Sequence, residues 1–573
     1  MKGPGETVVD RLRAHAATMP DKDAVVFVRE QHEEAVTYRQ LDQHAGRIAS
    51  WLRAHGRPGD RILLPGSTGL EFVTAFFGCV YAGMIAVPTP LPGRFQQERR
   101  RLRAIANDAG VATVLTSTAQ VSAVREWAEE EGLDLAHSVT DTAGLGGSGD
   151  WFAQPADPDT VVLLQYTSGS TSDAKGVMVS HGNLIHNAEL TAASGGWNAH
   201  DNFGGWLPLF HDMGLIGQVI TPLLIGGTTA LMEPGTFVRR PHEWLRMIDR
   251  HRLSASPAPN FAFDLCRRRV TDTQLDGLDL SGWISAVNGS EPVHAPTLAA
   301  FVDRFAAAGF RADAISPSYG MAEATLYVSG ESRREPVVRR VDAESLAHGE
   351  FRPVSGDGRD LVSCGRPRGF DVRIVDPDTA EALPEGRVGE IWLRGPSVAR
   401  GYWRRAALSA EVFEATALDG DGGYLRTGDA GVLVDGELYI TGRYKEMLVV
   451  HGRNLFPQDL EHEVRLLHEG LAGNPGAVFA VSAPDDEIVV AHEIRATREG
   501  TDLGAIAGRI RQALGSAFGV HIAGVVLLRP GAVRRTTSGK IQRLAMRELF
   551  LAGALDAVHE DVVPSVRALV RQS

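Results

Sequence analysis

Short apolar strands alternate with amphipathic helices along most of this chain, and no other feature constrains its fold as strongly. From Glu6 to about Asp150 the order runs VVDRLRAHAATM, AVVFV, a helix around Tyr38–His55, RILLPG, IAVPTPLP, an Arg-rich helix from Phe95 to Ala109, and ATVLTS. The alternation resumes from 161 to about 330, after a Gly/Asp/Pro-rich connecting loop over 140–159. Strands spaced by helices predict an α/β architecture with largely parallel sheets. Over 365–443 the pattern changes to Gly-punctuated strands (DVRIVD, GEIWLRG, GVLVDGELYITG), and from Met447 a compact α/β tail follows. The expected fold class is therefore α/β. Residues 1–444 form a large N-terminal domain of packed mixed or parallel sheets with helices, including a β-rich subdomain at about 365–443. Residues 445–573 form a small mobile α/β C-terminal domain. A chain of 573 residues fits this division at roughly 150 residues per domain.

Composition excludes several classes. A net charge of −13 argues against a general nucleic-acid binder or membrane-surface protein. Three scattered cysteines, Cys79, Cys266 and Cys364, give neither a disulfide framework nor a cysteine zinc site. Gly and Pro together are about a sixth of the chain, too few for a low-complexity segment. The most apolar run, Phe72 to Val87, contains two glycines and enters Pro88, so it reads as a buried helix then a buried strand rather than a membrane span. The N-terminal MKGPGETVVDRL lacks a signal-peptide apolar core, and a cytoplasmic enzyme is expected.

Of 58 basic residues only five are lysine: Lys2, Lys22, Lys175, Lys445 and Lys540. A chain that uses arginine for generic positive charge marks its remaining lysines as candidates for work needing a compact ammonium. Lys175 ends VVLLQYTSGSTSDAK, where an apolar strand runs into Thr167, Ser168, Gly169, Ser170 and Thr171 before a helix expected near Asn183. Such a loop offers N–H groups and hydroxyls to phosphate oxygens. Read alone, it is also compatible with a polar strand-to-helix turn. Its spacing is not that of GxxxxGK[ST].

The loop resembles the phosphate loop of the adenylate-forming enzymes: acyl-CoA synthetases, luciferases, peptide-synthetase adenylation domains and fatty acyl-AMP ligases. SYGMAEATL (318–326), YLRTGDAGVL (424–433), GRYKEMLVVHGRN (442–454) and RTTSGKIQR (535–543) follow in that family's order. One departure is Ala174, where the family usually has proline. The resemblance implies attack of a carboxylate on the α-phosphate of ATP with loss of pyrophosphate. Lys540 is then the adenylation lysine, Lys175 a phosphate ligand, and Glu323 with Thr171 the holders of Mg²⁺. Asp429 and Arg443 are implied at the ribose. Ser318, Tyr319, Gly320, Met321 and Ala322 line the nucleotide site, with Tyr319 as a stacking face for adenine and Gly289, Ser290 and Glu291 at its edge. Lys445 matches the position about which the small domain rotates.

The resemblance is nearest to the fatty acyl-AMP ligases. GWLPLFHDMGLIG (205–217) and SPAPNFAFDLC (256–266) resemble the acyl-site segments, placing His211, Asp212, Met213, Asn260 and Phe261 at the acyl pocket, with His211–Asp212 as a gate or wall. Gly320 and Gly365 are 45 residues apart, and the charged interval resembles the insertion that restrains the small domain in these ligases and disfavours CoA. The expected substrates are a fatty acid and ATP with Mg²⁺, and the acceptor an acyl carrier protein in trans. No Asp-Ser-Leu phosphopantetheine site is seen after Lys540, so the carrier is expected to come from another chain. An acyl-CoA synthetase is the alternative, and a non-catalytic acyl- or nucleotide-binding regulator a more distant one.

An acidic enzyme meeting an acidic carrier needs local basic clusters; Arg267-Arg268-Arg269 and Arg534-Arg535 are the candidates. Reversing the charges of Arg534 and Arg535 is expected to slow transfer to a carrier protein while leaving adenylate formation nearly intact. Measuring the two half-reactions separately checks this, and equal loss in both would remove the docking role.

Overall fold

The computed structural model describes residues 6–29, 32–66, 68–93, 96–111, 113–133, 137–141, 156–166, 174–450, 453–482, 486–495, 502–536 and 539–570. Two large sheets organise the first two-thirds of the chain. One runs in the order 327–330, 315–320, 285–288, 255–258, 202–205, 228–232, 23–29 and 32–37. Its inner pairs are parallel, and its two edge strands are antiparallel. The other runs 137–141, 113–116, 61–65, 85–89, 161–166 and 176–180, parallel except at the last pair. The parallel strands carry buried runs such as Leu63, Val87 and Leu164, the pattern of sheets covered by helices on both faces.

The most apolar run of the sequence forms the helix Leu70–Ala82, buried from Phe72 onward, and the buried strand Ile85–Thr89. Gly83 ends the helix at φ +71°, a left-handed turn that suits glycine. The helix after Lys175 begins two residues earlier than expected. Ser180 caps His181–Gly195 by accepting from the Asn183 N–H, while the Asn183 side chain accepts from the Ser180 N–H. Ser180 itself supplies that reciprocal cap, which sets the start. The segment after Asp212, expected to contribute to the acyl site, is a π-helix over Met213–Ile220. Gly214 lies there because a Cβ would stand 2.1 Å from the Pro208 carbonyl oxygen.

An antiparallel sheet follows, in the order Asp371–Val375, Gly389–Arg394, Leu425–Val434 and Glu437–Arg443. Beyond the turn Tyr444–Glu446 lies a second core, built on the four-stranded sheet 476–482, 486–493, 522–528 and 557–562. The charged interval between Gly320 and Gly365 folds as the hairpin Val338–Val341 and Arg359–Val362 with a short helix, Ala343–Ala347, between them. Its Val341, Leu346, Phe351 and Leu361 pack on Val432 and Tyr439 of the antiparallel sheet. Arg359 also pairs at 2.7 Å with Asp459, on the helix Pro457–Leu466 beyond the turn. Among the described residues no helix is long and apolar enough to cross a membrane.

Three histidines are held neutral by burial. His181 accepts from the Val8 N–H, and its pKa falls to about 4, as does that of His492. His294, stacked on His462, falls to about 3. Each folded value lies below the unfolded value of roughly 6.5, so the unfolded chain binds more protons as pH drops from 6.5 towards 4. Folding stability is therefore expected to fall over that window, by up to about 1.4 kcal/mol per pH unit for each histidine. Asp459, raised by burial to about 6, opposes this, because its folded form holds a proton that the unfolded one releases above pH 4. Thermal melts at pH 7 and pH 5 check the balance, and His492→Gln should flatten the slope.

Candidate active site

The nucleotide-site segment is built where the edge of the larger sheet doubles back. The strand Ile315–Gly320 turns through Ala322–Ala324 into Tyr327–Gly330, and the Met321 N–H donates to the Leu326 carbonyl at 2.9 Å. The chain passes so close to itself that a Cβ on Gly320 would lie 1.9 Å from the Leu326 carbonyl oxygen. Thr325 closes the turn at φ +69°, a costly conformation for a β-branched residue, held by its hydroxyl donating to the Ser397 carbonyl at 2.6 Å. This turn carries Glu323, with Met321 and Ala322 buried beneath it. Ser318 donates to the Ser316 carbonyl within the same strand.

Asp429 stands opposite. Its register partner across the antiparallel pair is Arg443, whose Nε donates to Oδ1 at 2.7 Å, while the Tyr319 hydroxyl donates to Oδ2 at 2.8 Å. Both carboxylate oxygens are oriented by protein donors and keep further lone pairs for hydroxyls of a ligand. Tyr319 is thus committed by its hydroxyl to Asp429, a role in addition to the adenine face expected of it. Burial and the Asp429 charge push the phenol well up, so it remains the donor.

The 288–294 loop forms the third side. Ser290 is at φ +71°, and a Cβ on Gly289 would lie 2.8 Å from the Ser318 carbonyl oxygen. Asn260, expected in the acyl pocket, holds this loop: its Oδ1 accepts from Asn288 Nδ2 and from the His294 N–H, each at 3.2 Å. A buried amide at the start of the helix Asn260–Arg269 satisfies these loop N–H groups. Glu291 reaches back to accept from the Phe261 N–H at 2.5 Å.

Phe261 is 39% exposed and lies edge-on to Trp206 and Phe237, which stack on each other at 3.9 Å. Met213 packs against the same aromatic cluster. Trp206 and Phe237 were not singled out from the sequence, where isolated aromatics carry no spacing signal. Asp212 accepts from the Met213 N–H at 2.7 Å and so caps the π-helix, and the His211 ring lies 4.9 Å from that of Phe210.

Lys540 arrives from the second core. Thr536 and Lys540 close a tight turn, the Thr536 N–H donating to the Lys540 carbonyl at 2.7 Å. Burial and the Arg443 charge lower the Lys540 pKa, while Asp212, Asp429 and Glu291 raise it. The same burial raises Asp212, Glu291 and Glu323, with Lys540 lowering the first two and a Tyr402 hydrogen bond lowering the third. Residues from sequence positions 212 to 540 therefore form one charge cluster. Arg465, also from the second core, acts on Glu291 in it and was not expected there.

Lys175 stands with its ammonium 5.4 Å from the centre of the Tyr402 ring. Thr167, Ser168, Gly169, Ser170 and Thr171 lie outside the described residues. Lys445 is exposed in the turn Tyr444–Glu446, and its neighbour Glu446 is paired with Arg543. Among the described residues no group of three or more His, Cys, Asp or Glu is placed to hold a metal ion. A lone carboxylate such as Glu323 suits Mg²⁺ that arrives with a nucleotide and takes its other ligands from phosphates and water.

Residues 12–403 match the family of AMP-binding enzymes. The chain is 39% identical, over 96% of its length and 96% of the relative's, to the medium-chain-fatty-acid–[acyl-carrier-protein] ligase JamA of Moorena producens. It is 37% identical to the long-chain-fatty-acid–AMP ligase FadD26 of Mycobacterium marinum, with 94% and 96% covered. A solved fatty acyl-adenylate ligase from L. pneumophila, in complex with acyl adenylate and pyrophosphate, superposes with a TM-score of 0.75 at 33% identity, covering 99% and 98% of the two chains.

Gly320→Ala is expected to displace the turn that carries Glu323, because the obstructing atom is backbone and cannot rotate away. Loss of adenylate formation with a lowered melting temperature is the expected result. Asp429→Asn should instead keep the fold and weaken ATP binding by about tenfold, the cost of one charge-assisted hydrogen-bond acceptor. Calorimetric titration of ATP separates the two.

Proposed function

The chain belongs to the AMP-binding enzymes and, among them, to the fatty acyl-AMP ligases; we propose how its residues carry that reaction. The enzyme joins a fatty acid to ATP as an acyl adenylate, releases pyrophosphate, and passes the acyl group to a thiol. In the first step a carboxylate oxygen attacks the α-phosphorus as its bond to the pyrophosphate oxygen breaks. Lys540 neutralises charge gathered on the carboxylate and α-phosphoryl oxygens, holding the two reactants at one point. Asp429 accepts from the ribose hydroxyls, with Arg443 and Tyr319 fixing its orientation. The Gly289–Glu291 loop faces the adenine, and Ser318 to Ala322 wall the nucleotide.

Lys175 neutralises the departing phosphates, a role the family resemblance extends to Thr167, Ser168, Gly169, Ser170 and Thr171. Glu323, with Thr171 by the same resemblance, would hold Mg²⁺, which when bound would offset the charge of the pyrophosphate group. Met213, Phe261, Trp206 and Phe237 line the acyl chain, and His211 with Asp212 forms a wall of that channel. Lys445 is the pivot of the small domain, residues 445–573. The observation that supports this reading is the fixing of both Asp429 oxygens, by Arg443 at 2.7 Å and Tyr319 at 2.8 Å, beside the strand that carries Gly320 and the turn of Glu323.

The acceptor is the phosphopantetheine thiol of an acyl carrier protein supplied in trans. Two points favour it over CoA. The 338–362 hairpin is packed on the antiparallel sheet and ion-paired to the small domain, so it is built to resist rotation rather than to hang in solvent. A relative similar over nearly its full length is named for transfer to a carrier protein. A cytoplasmic setting is part of the proposal.

A panel of fatty acids with ATP and Mg²⁺, with CoA or holo carrier protein, tests it. Acyl adenylate and acyl-carrier product are expected, without acyl-CoA. Lys540→Ala should slow adenylation by about 100-fold or more while retaining ATP binding. Replacing 338–362 by a short turn should allow acyl-CoA to form. Acyl-CoA made by the intact enzyme at the rate of ATP use would overturn the acceptor assignment.

A further inference from the structure

Tyr402 belongs to no sequence motif assigned above, yet it touches both charged groups placed at the phosphate end of the site. Its hydroxyl donates to Glu323 Oε1 at 2.9 Å, and the Lys175 ammonium lies 5.4 Å from the centre of its ring. The residue is 7% exposed and is held from several sides. Its N–H donates to Ser409 Oγ at 2.9 Å, and its ring meets Phe413 edge-on. The segment around it is clipped to the strand that follows Lys175. The Met178 N–H donates to the Gly401 carbonyl, the Arg400 N–H to the Met178 carbonyl, and the Trp403 N–H to the Gly176 carbonyl. On its other flank the Ala399 N–H donates to the carbonyl of Glu323 itself, at 2.9 Å. One short segment therefore fixes the strand behind Lys175 and the turn under Glu323 in a single frame.

Lys175 and Glu323 do not pair with each other. In a partly buried site, a flexible ammonium close to a carboxylate falls onto it, because attraction strengthens as water is excluded. A collapsed pair would offer neither its positive charge to phosphate nor its negative charge to a cation. We infer that Tyr402 is a positioning residue that keeps these two charges apart and ready. Its aromatic face gives the ammonium a resting place weaker than a carboxylate, from which phosphate can draw it. Its hydroxyl occupies one lone pair of Glu323 Oε1, leaving Oε2 free of this bond to meet a hard cation. The inference rests on the proposed roles of Lys175 at phosphate and Glu323 at Mg²⁺.

The test is binding of α,β-methylene-ATP to the full chain by calorimetry, across a Mg²⁺ series and without metal, with Mn²⁺ paramagnetic resonance as a second readout. Tyr402→Phe keeps the ring and loses the hydroxyl. It is expected to require about tenfold more Mg²⁺ or Mn²⁺ for half-saturation, with metal-free binding of the analogue unchanged. Tyr402→Leu loses both, so metal-free binding should also fall about tenfold as Lys175 pairs with Glu323. Adding Glu323→Gln to Tyr402→Leu should restore that metal-free binding. Wild-type metal dependence in Tyr402→Phe would overturn the inference, and so would equal loss with and without metal. Melting temperatures establish that the variants fold, and Tyr402→Phe decides the matter even where Tyr402→Leu does not. No fatty acid enters the measurement, so an error about the acyl substrate leaves it intact. Glu323→Gln alone with unchanged metal dependence would instead sink the underlying metal assignment.

Discussion

Everything in this site depends on burying charge in a balanced set. Burial lowers the Lys540 pKa and raises those of Asp212 and Glu291, and the opposite charges these groups present to one another offset part of that cost. An isolated ammonium or carboxylate would meet a desolvation cost large enough to neutralise it. The lysine belongs to one core and the carboxylates to another, so these charges act across the two. Asp429 keeps a partner of its own besides, the Arg443 guanidinium across the antiparallel pair.

The backbone is shaped around this cluster at some local cost. Ser290 and Thr325 occupy left-handed conformations without being glycine, the first beside Glu291 and the second two residues after Glu323. The approach of Gly320 to Leu326 and of Gly289 to Ser318 packs two turns more tightly than any side chain would permit. Strain of this kind persists only where surrounding contacts over-determine it. The Thr325 hydroxyl bond and the paired acceptor bonds of Asn260 are those contacts here.

Much of the architecture was legible in the sequence, because strand–helix alternation and buried runs are local signals. The helix Tyr38–His55 and the helix–strand pair ending at Thr89 follow directly from period and composition. The start of the helix at His181 was displaced by two residues, since a capping box is decided by side-chain geometry rather than period. Lys175, Glu323, Asp429 and Lys540 were legible as chemistry-bearing residues in ordered motifs. Tyr402 and Arg465 were not, because what marks them is proximity to groups far along the chain, 79 positions away for Tyr402 and Glu323. The hold of Asn260 on the 288–294 loop was hidden for a related reason, since the loop it satisfies lies about 30 positions along the chain. The π-helix over Met213–Ile220 has no distinct periodic signature in eight residues.

The ion pair between Arg359 and Asp459 gives the hairpin a mechanical meaning. A body joined to another through one flexible turn swings over a continuous arc. Fastened at a second point far along the chain from that turn, it acquires a detent: a resting position that must be left before any travel begins. Dwell time in that position then becomes a property of the latch, adjustable by substitutions that never approach the nucleotide. On the proposed rotation of residues 445–573, timing and chemistry would then be set by separate parts of the same polypeptide.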